Sequence, residues 1–134
     1  MATKHVLDTH ALVWYLEGNP RLGKAARAAI EEPDADLVLP IIALAEAAFI
    51  VERGRTAIPT VAALLQRVLG DGRIDIHPLT WDVFEQSLTL TTVPEMHDRL
   101  IAATALHLLE MGHAVTLLTA DRVLATVQPA LVIW

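Results

Sequence analysis

Short apolar runs alternate with longer amphipathic stretches along the whole chain. The runs are too short for helices and are rich in valine, leucine and isoleucine, which is typical of buried strands. They predict five strands, at residues 6–7, 37–39, 74–76, 115–118 and 131–133. The stretches between them have helical spacing and predict helices at residues 11–16, 22–31, 42–53, 61–69, 81–90 and 99–111.

The residues at the ends of the predicted helices agree with this division. Thr60 and Thr80 stand where N-caps belong, and Gly54, Gly70 and Gly112 stand where helices end. Strands that alternate with helices predict a parallel sheet flanked by helices. In such a sheet, ligands bind in the crevice beyond the carboxyl ends of the strands.

Four acidic residues interrupt segments that are otherwise apolar or small. Asp8 and Asp121 follow predicted strands, Glu46 lies within the apolar stretch 41–51, and Asp98 precedes the helical pattern of residues 99–111. A buried carboxylate is costly unless it is paired, hydrogen-bonded or protonated. We therefore expect the four carboxylates to converge in one crevice and to share a cation.

Each acid also has a simpler explanation. Asp8, Asp98 and Asp121 are placed where an aspartate commonly caps a helix. Glu46 would need no partner if its helix turned that edge to solvent. Cα positions scattered over the molecule would contradict the convergence.

Composition limits the class of protein. The chain has 134 residues, of which 54% are hydrophobic and 19% charged, and no linker-like segment divides it, so we expect a single domain spanning residues 1–134. There is no cysteine, which excludes disulfides, thiolate metal sites and a thiol nucleophile. The sequence contains no signal peptide or membrane span, so we expect a cytoplasmic protein that does not associate with a membrane.

The charge balance argues against a general nucleic-acid binder. Ten lysines and arginines face sixteen acidic residues, which gives a net charge of −6, whereas phosphate contacts require a basic surface. A metal-dependent nuclease remains compatible with this balance, because a divalent ion offsets the charge of its acidic ligands locally.

Four segments in order resemble the sequence blocks of PIN-domain ribonucleases. They are residues 6–14 (VLDTHALVW), 43–55 (ALAEAAFIVERGR), 97–105 (HDRLIAATA) and 118–122 (LTADR). Their order and spacing and the total length resemble the VapC-type toxins of toxin–antitoxin pairs. The resemblance implies a three-layer α/β/α fold around a parallel sheet of about five strands. One departure is the absence of the Asp-Pro that many relatives carry before the third acid; Glu95 is a candidate replacement.

This resemblance and the chemistry of the acids together predict hydrolysis of RNA phosphodiesters with Mg²⁺ or Mn²⁺. Asp8, Asp98 and Asp121 are the predicted metal ligands, and Glu46 is a further ligand or the base that orients water. The supporting residues are Thr9 and Thr119, whose hydroxyls could hold a water, and Arg99, which could contact phosphate. The six histidines lack zinc-ligand spacing, and His97 is the one most plausibly involved.

The resemblance also implies partners. We expect a cognate antitoxin and an RNA substrate, with the antitoxin lying over a groove between the first two helices and directing a basic side chain at the acids. Six apolar residues could form that groove, although core packing is the favoured explanation for most of them: Trp14, Tyr15, Leu16, Leu22, Ala26 and Ile30. The high apolar content, which is difficult for one small domain to bury, separately predicts a homodimer.

Two other functions compete. A phosphohydrolase that uses Asp8 as nucleophile would need a lysine in the pocket, yet Lys4 and Lys24, the two lysines of the sequence, do not follow a later strand. A non-catalytic metal-binding or protein-binding module would retain the acids without turnover. Loss of activity in Asp8→Asn with binding retained would separate that module from the enzyme.

Overall fold

The computed structural model describes residues 2–134, which form five strands and seven helices. The strands are β1 (Lys4–Leu7), β2 (Asp36–Pro40), β3 (Ile74–His77), β4 (Val115–Leu118) and β5 (Val132–Ile133). The helices are α1 (Thr9–Glu17), α2 (Lys24–Glu31), α3 (Ile41–Glu52), α4 (Val61–Leu69), α5 (Trp81–Ser87), α6 (Met96–Glu110) and α7 (Arg122–Val127).

All five strands are parallel and lie in the order β3-β2-β1-β4-β5. β1 is central, with His5 opposite Leu37 of β2 on one side and opposite Thr116 of β4 on the other. The chain builds outward from β1 to β3 and then crosses to β4, so the strand order reverses between β1 and β4. A crevice forms beyond the carboxyl ends of the strands at such a reversal.

The three-layer α/β/α fold predicted from the sequence is confirmed. The sheet is buried between its helices, and Val6, Leu37, Leu39 and Leu118 are each no more than 1% exposed. Side chains from α1, α3 and α6 belong to the same core as the side chains of the sheet. Within residues 2–134, no helix is both long enough and apolar enough to cross a membrane.

Element positions agree with the sequence predictions more closely than element ends do. All five strands and all six predicted helices are present, and Thr60 and Thr80 cap α4 and α5 through their side-chain oxygens. The prediction missed α7, a helix of six residues that begins directly after Asp121. It also placed the start of α6 at residue 99, three residues later than Met96, so Asp98 lies within the first turn of that helix.

Candidate metal centre

A cavity of about 410 Å³ opens beyond the carboxyl ends of β1 and β4. All four acids singled out from the sequence line it, so their expected convergence is confirmed. Its lining residues are Asp8, His10, Trp14, Glu46, Glu95, His97, Asp98, Ala120 and Asp121. The cavity therefore lies at the reversal of strand order described above.

Asp8 lies at the back of this cavity and is 7% exposed. It follows β1 and caps α1, and its Oδ1 accepts a hydrogen bond from the Thr9 backbone N–H at 2.7 Å. Its Oδ2 accepts one from the Thr119 hydroxyl at 2.6 Å. Burial raises the pKa of the carboxyl above its usual range, although the hydrogen bonds from Thr119 and Thr9 act in the opposite direction. Asp8 is thus held in a fixed orientation, and the buried charge of its carboxylate needs a positive partner.

Glu46 extends into the cavity from α3 and is held through both of its oxygens. The Thr9 hydroxyl donates to Oε1, and Nε2 of His97 lies 2.8 Å from Oε2. The simpler explanation, in which this edge of α3 faces solvent without a partner, is therefore wrong. The Thr9 hydroxyl and the His97 imidazole, which belong to two different helices, thus each contact one oxygen of Glu46.

Three side chains at the start of α6, each of a type that binds metal ions, form a cluster in the cavity. His97 Nε2 lies 3.2 Å from Glu95 Oε2 and 3.8 Å from Asp98 Oδ1, and one ligand atom from each of the three lies within 4.8 Å of the others. Burial, followed by the nearby charge of Asp8, raises the pKa of Asp98 to about 6. Glu95, the N-cap of α6, belongs to this cluster, and its replacement of the missing carboxylate stays a prediction.

Asp121 caps α7 and lines the cavity at the same time. Its Oδ1 accepts hydrogen bonds from the backbone N–H groups of Val123 at 2.8 Å and Leu124 at 3.1 Å. Its own N–H donates to the Thr119 hydroxyl at 3.0 Å, and that hydroxyl in turn donates to Asp8. Asp121 therefore caps a helix and also belongs to the acidic cluster, and the same is true of Asp8.

The three supporting residues are placed differently from one another. Thr9 and Thr119 each direct the hydroxyl hydrogen at a cavity carboxylate, so their predicted role of holding a water stays a prediction. Arg99 is not brought to the cavity. Its guanidinium donates to the backbone carbonyls of Val93 and Thr91 and so anchors the loop before α6.

Sequence reasoning did not assign the full lining. His97 was noted without a role, although its place beside Asp98 in the third block was a usable signal. His10 and Trp14 are four residues apart, a spacing that places both on the face of α1 that turns toward the cavity. Of the predicted apolar groove, Leu22, Ala26 and Ile30 are core residues instead, at 4%, 0% and 0% exposure.

The donor set fits a hard divalent cation. Five carboxylates line the cavity, and no lysine or arginine is present among its described lining residues. Mg²⁺ prefers oxygen ligands at about 2.1 Å, and Mn²⁺ accepts carboxylates and also imidazole. Burial and then repulsion from the neighbouring carboxylates raise the pKa of Asp98, and a bound cation would offset that repulsion.

Comparison with known proteins agrees with this architecture. The family model for the PIN domain matches residues 5–128. No curated protein sequence matches the chain. Among solved structures, a toxin–antitoxin complex from Klebsiella pneumoniae is similar, with a TM-score of 0.66 and 19% identity over 99% of this chain and 97% of that one. VapC20 of Mycobacterium tuberculosis, a toxin that cleaves the sarcin–ricin loop, superposes with a TM-score of 0.63 and 16% identity, over 94% of this chain and 95% of that one. Because the family model covers nearly the whole chain, the protein belongs to the PIN-domain family.

Proposed function

We propose that the protein is a metal-dependent ribonuclease that hydrolyses RNA phosphodiester bonds in this cavity. The observation that carries the proposal is the meeting of five carboxylates from four separate parts of the chain in one cavity whose described lining contains no lysine or arginine. Membership of the PIN-domain family supports the same activity.

Asp8, Asp98 and Asp121 are the residues that would hold Mg²⁺ or Mn²⁺, with Glu95 available as a further oxygen ligand. The bound ion would activate water and offset charge on the phosphate. Thr119 keeps Asp8 oriented for this role, and it also ties Asp8 to the backbone of Asp121. Such hydrogen bonds to ligand carboxylates maintain the geometry of a metal site.

Glu46 is the residue that would orient the attacking water. The Thr9 hydroxyl donates a hydrogen bond to one of its oxygens, and His97 Nε2 lies 2.8 Å from the other, so contacts hold both oxygens in place. A carboxylate held in this way acts as an acceptor for a proton of the water without needing to reorient during the reaction.

We further propose that the chain is a single domain acting as the toxin of a cytoplasmic toxin–antitoxin pair. The likeness in fold to a toxin–antitoxin complex and to VapC20 supports a cognate antitoxin as partner. A homodimer is supported by exposed apolar side chains near α5 and the start of α6, namely Leu79, Phe84, Leu88 and Met96.

Two alternatives are less well supported. A phosphohydrolase with Asp8 as nucleophile lacks its lysine, because Lys4 pairs with Asp36 at 3.0 Å near the amino ends of the strands and Lys24 begins α2. A non-catalytic module would use the same acids to bind a metal or a protein without cleaving RNA. Membership of the PIN-domain family favours the enzyme over such a module.

The test is cleavage of a mixed RNA pool by purified protein, freed of any antitoxin, with Mg²⁺, Mn²⁺ or EDTA. We expect cleavage with the metals, none with EDTA, and at least a hundredfold loss in Asp8→Asn and Asp98→Asn. Asp75→Asn is the matched control, because Asp75 is an exposed strand residue that does not line the cavity. Absence of cleavage with either metal in the wild type would contradict the proposal.

A further inference from the structure

The acidic cavity has one aromatic wall, formed by His10 and Trp14. The two rings lie one turn apart on α1, with centroids 5.2 Å apart and planes inclined by 48°. His10 is exposed and Trp14 is half-buried. Both line the same cavity as the carboxylates, so a molecule bound at the acids would also meet a ring.

Trp14 is held in place from outside the cavity. The Trp134 ring meets it edge-on at 5.8 Å, and the Arg21 guanidinium carbon lies 6.0 Å from the centre of the Trp14 ring. Trp134 is able to approach because residue 23 is glycine; a Cβ there would lie 2.3 Å from the Trp134 carbonyl carbon. A ring fixed in this way loses little conformational freedom when a ligand stacks beside it.

RNA binding at this cavity needs a source of affinity other than phosphate attraction. The net charge is −6, no described lining residue is a lysine or arginine, and Arg99 is engaged by the carbonyls of Thr91 and Val93. Phosphate contacts inside the cavity are therefore scarce, and the Arg21 guanidinium beside Trp14 lies outside its lining. Stacking of unpaired bases on aromatic side chains needs no net positive charge and tolerates any base.

We propose that His10 and Trp14 form a subsite that stacks the base of an unpaired nucleotide beside the scissile phosphate. The ligand is single-stranded or looped RNA, because the bases of a duplex are already stacked on each other and their faces are not available to the rings. A cavity of about 410 Å³ is large enough for one nucleotide at a time. This inference rests on the proposed ribonuclease function and adds to it a base-stacking subsite formed by His10 and Trp14.

Binding can be followed without cleavage through the fluorescence of Trp14. The three tryptophans are at positions 14, 81 and 134, so Trp81→Phe and Trp134→Phe leave Trp14 as the emitter, and Asp98→Asn silences hydrolysis. The probes are a single-stranded RNA hexamer, the same hexamer with one abasic position moved along it, and a blunt duplex of the same sequence. We expect the hexamer to quench Trp14, one abasic position to weaken binding roughly fivefold to a hundredfold, and the duplex to leave the emission unchanged.

Variants at His10 give the sharper test, because His10 is exposed and its replacement leaves the core intact. We expect His10→Ala to weaken hexamer binding at least fivefold and His10→Phe to restore it, since the ring and not the imidazole nitrogens carries stacking. The control is Phe49→Ala, which removes a 52% exposed ring that packs under Arg53 and does not line the cavity. Affinity should also depend weakly on salt, with a log–log slope of magnitude below about 1.5, which corresponds to two phosphate contacts or fewer.

Several results would overturn the subsite. They are equal binding of duplex and hexamer, full affinity in His10→Ala, or a Trp14 response to an antitoxin segment with none to RNA. Metal-dependent cleavage by the wild type in any of these cases would leave the ribonuclease function standing. Conversely, stacking of the hexamer without metal-dependent cleavage by the wild type would retain the subsite and contradict the enzyme.

Discussion

Asp98 has a pKa of about 6, compared with an ordinary value of 3.8, because it is partly buried and lies near Asp8. A carboxyl whose pKa is raised by folding stabilises the protein while it is protonated, below about pH 4, and this contribution is lost as the pH rises through about 6. Without metal, Asp98→Asn should therefore be more stable than the wild type at pH 7.5, and the difference should shrink toward pH 4.

Urea denaturation of both proteins in EDTA across pH 4.0–7.5 measures this difference directly. Asp75→Asn serves as the control for removing a negative charge from an exposed position. A difference between Asp98→Asn and the wild type that did not change with pH would mean that Asp98 titrates normally in the folded state.

His97 connects Glu46, Glu95 and Asp98 through one nitrogen, at 2.8, 3.2 and 3.8 Å. We expect His97→Ala to lower kcat about tenfold while KM changes less than threefold, because Glu46 loses the contact at 2.8 Å that helps to orient it. His97→Gln should recover part of kcat, since its amide N–H can donate to the same oxygen. Steady-state kinetics on a defined RNA, together with Mn²⁺ titration, makes the comparison; a large loss of metal affinity in His97→Ala would instead identify His97 as a ligand.

The sequence was sufficient to find the four acids but not the contacts that orient them. Asp8, Glu46, Asp98 and Asp121 are conspicuous because charges are unexpected in apolar segments. The pairing of Thr119 with Asp8 spans 111 positions, and that of Thr9 with Glu46 spans 37, and no local pattern encodes such partners. Arg99 illustrates the converse, since its position beside Asp98 suggested a phosphate contact while its side chain turns back to the preceding loop.

At the scale of elements, the beginning of α2 is fixed against the end of the chain. Gly23 is the N-cap of α2, and a Cβ at this position would lie 2.6 Å from Cδ1 of Trp134 as well as meeting its backbone. We expect Gly23→Ala to cost about 1–3 kcal/mol of unfolding free energy through overpacking. It should also shift the fluorescence of Trp14, whose ring Trp134 supports.

Gly72→Ala is the matched control, because nothing lies within 4 Å of a Cβ at that position and its backbone is not in the left-handed region. It should leave stability unchanged or raise it by up to about 1 kcal/mol. Thermal denaturation of the two variants measures the difference in their stability. Equal stability would show that Trp134 moves away from the new Cβ without a loss of unfolding free energy.

Strands and long helices were predictable because their apolar runs are contiguous, whereas the ends of elements and α7 were not. α7 is only six residues long and starts at a capping aspartate that was also a site candidate, so periodicity carried little information there. α5 was predicted to continue to residue 90 but ends at Ser87. The Leu88, Thr89 and Leu90 backbone N–H groups form turn hydrogen bonds to carbonyls three residues back, and such turns resemble helix in sequence.

At the scale of the whole molecule, metal binding should appear as stability. A ligand present at a hundred times its Kd and bound to the folded state alone adds about 2.7 kcal/mol to the free energy of unfolding. We expect Mg²⁺ or Mn²⁺ to raise Tm, EDTA to reverse the effect, and Asp8→Asn or Asp121→Asn to reduce it. NaCl at matched ionic strength and the Asp75→Asn variant are the controls. An equal rise in Tm with NaCl would show that charge screening, and not metal binding, stabilises the protein.

The central position of β1 determines when the cavity can exist during synthesis. β1 is made first, yet it pairs with β4 near the other end of the sequence, and the hydroxyl that orients Asp8 belongs to Thr119. Contacts of such separation form late. A nascent chain that lacks β4 therefore carries Asp8, Glu46 and Asp98 without the strand and the hydroxyl that align them, so the acidic cavity forms only after β4 and Thr119 have been made.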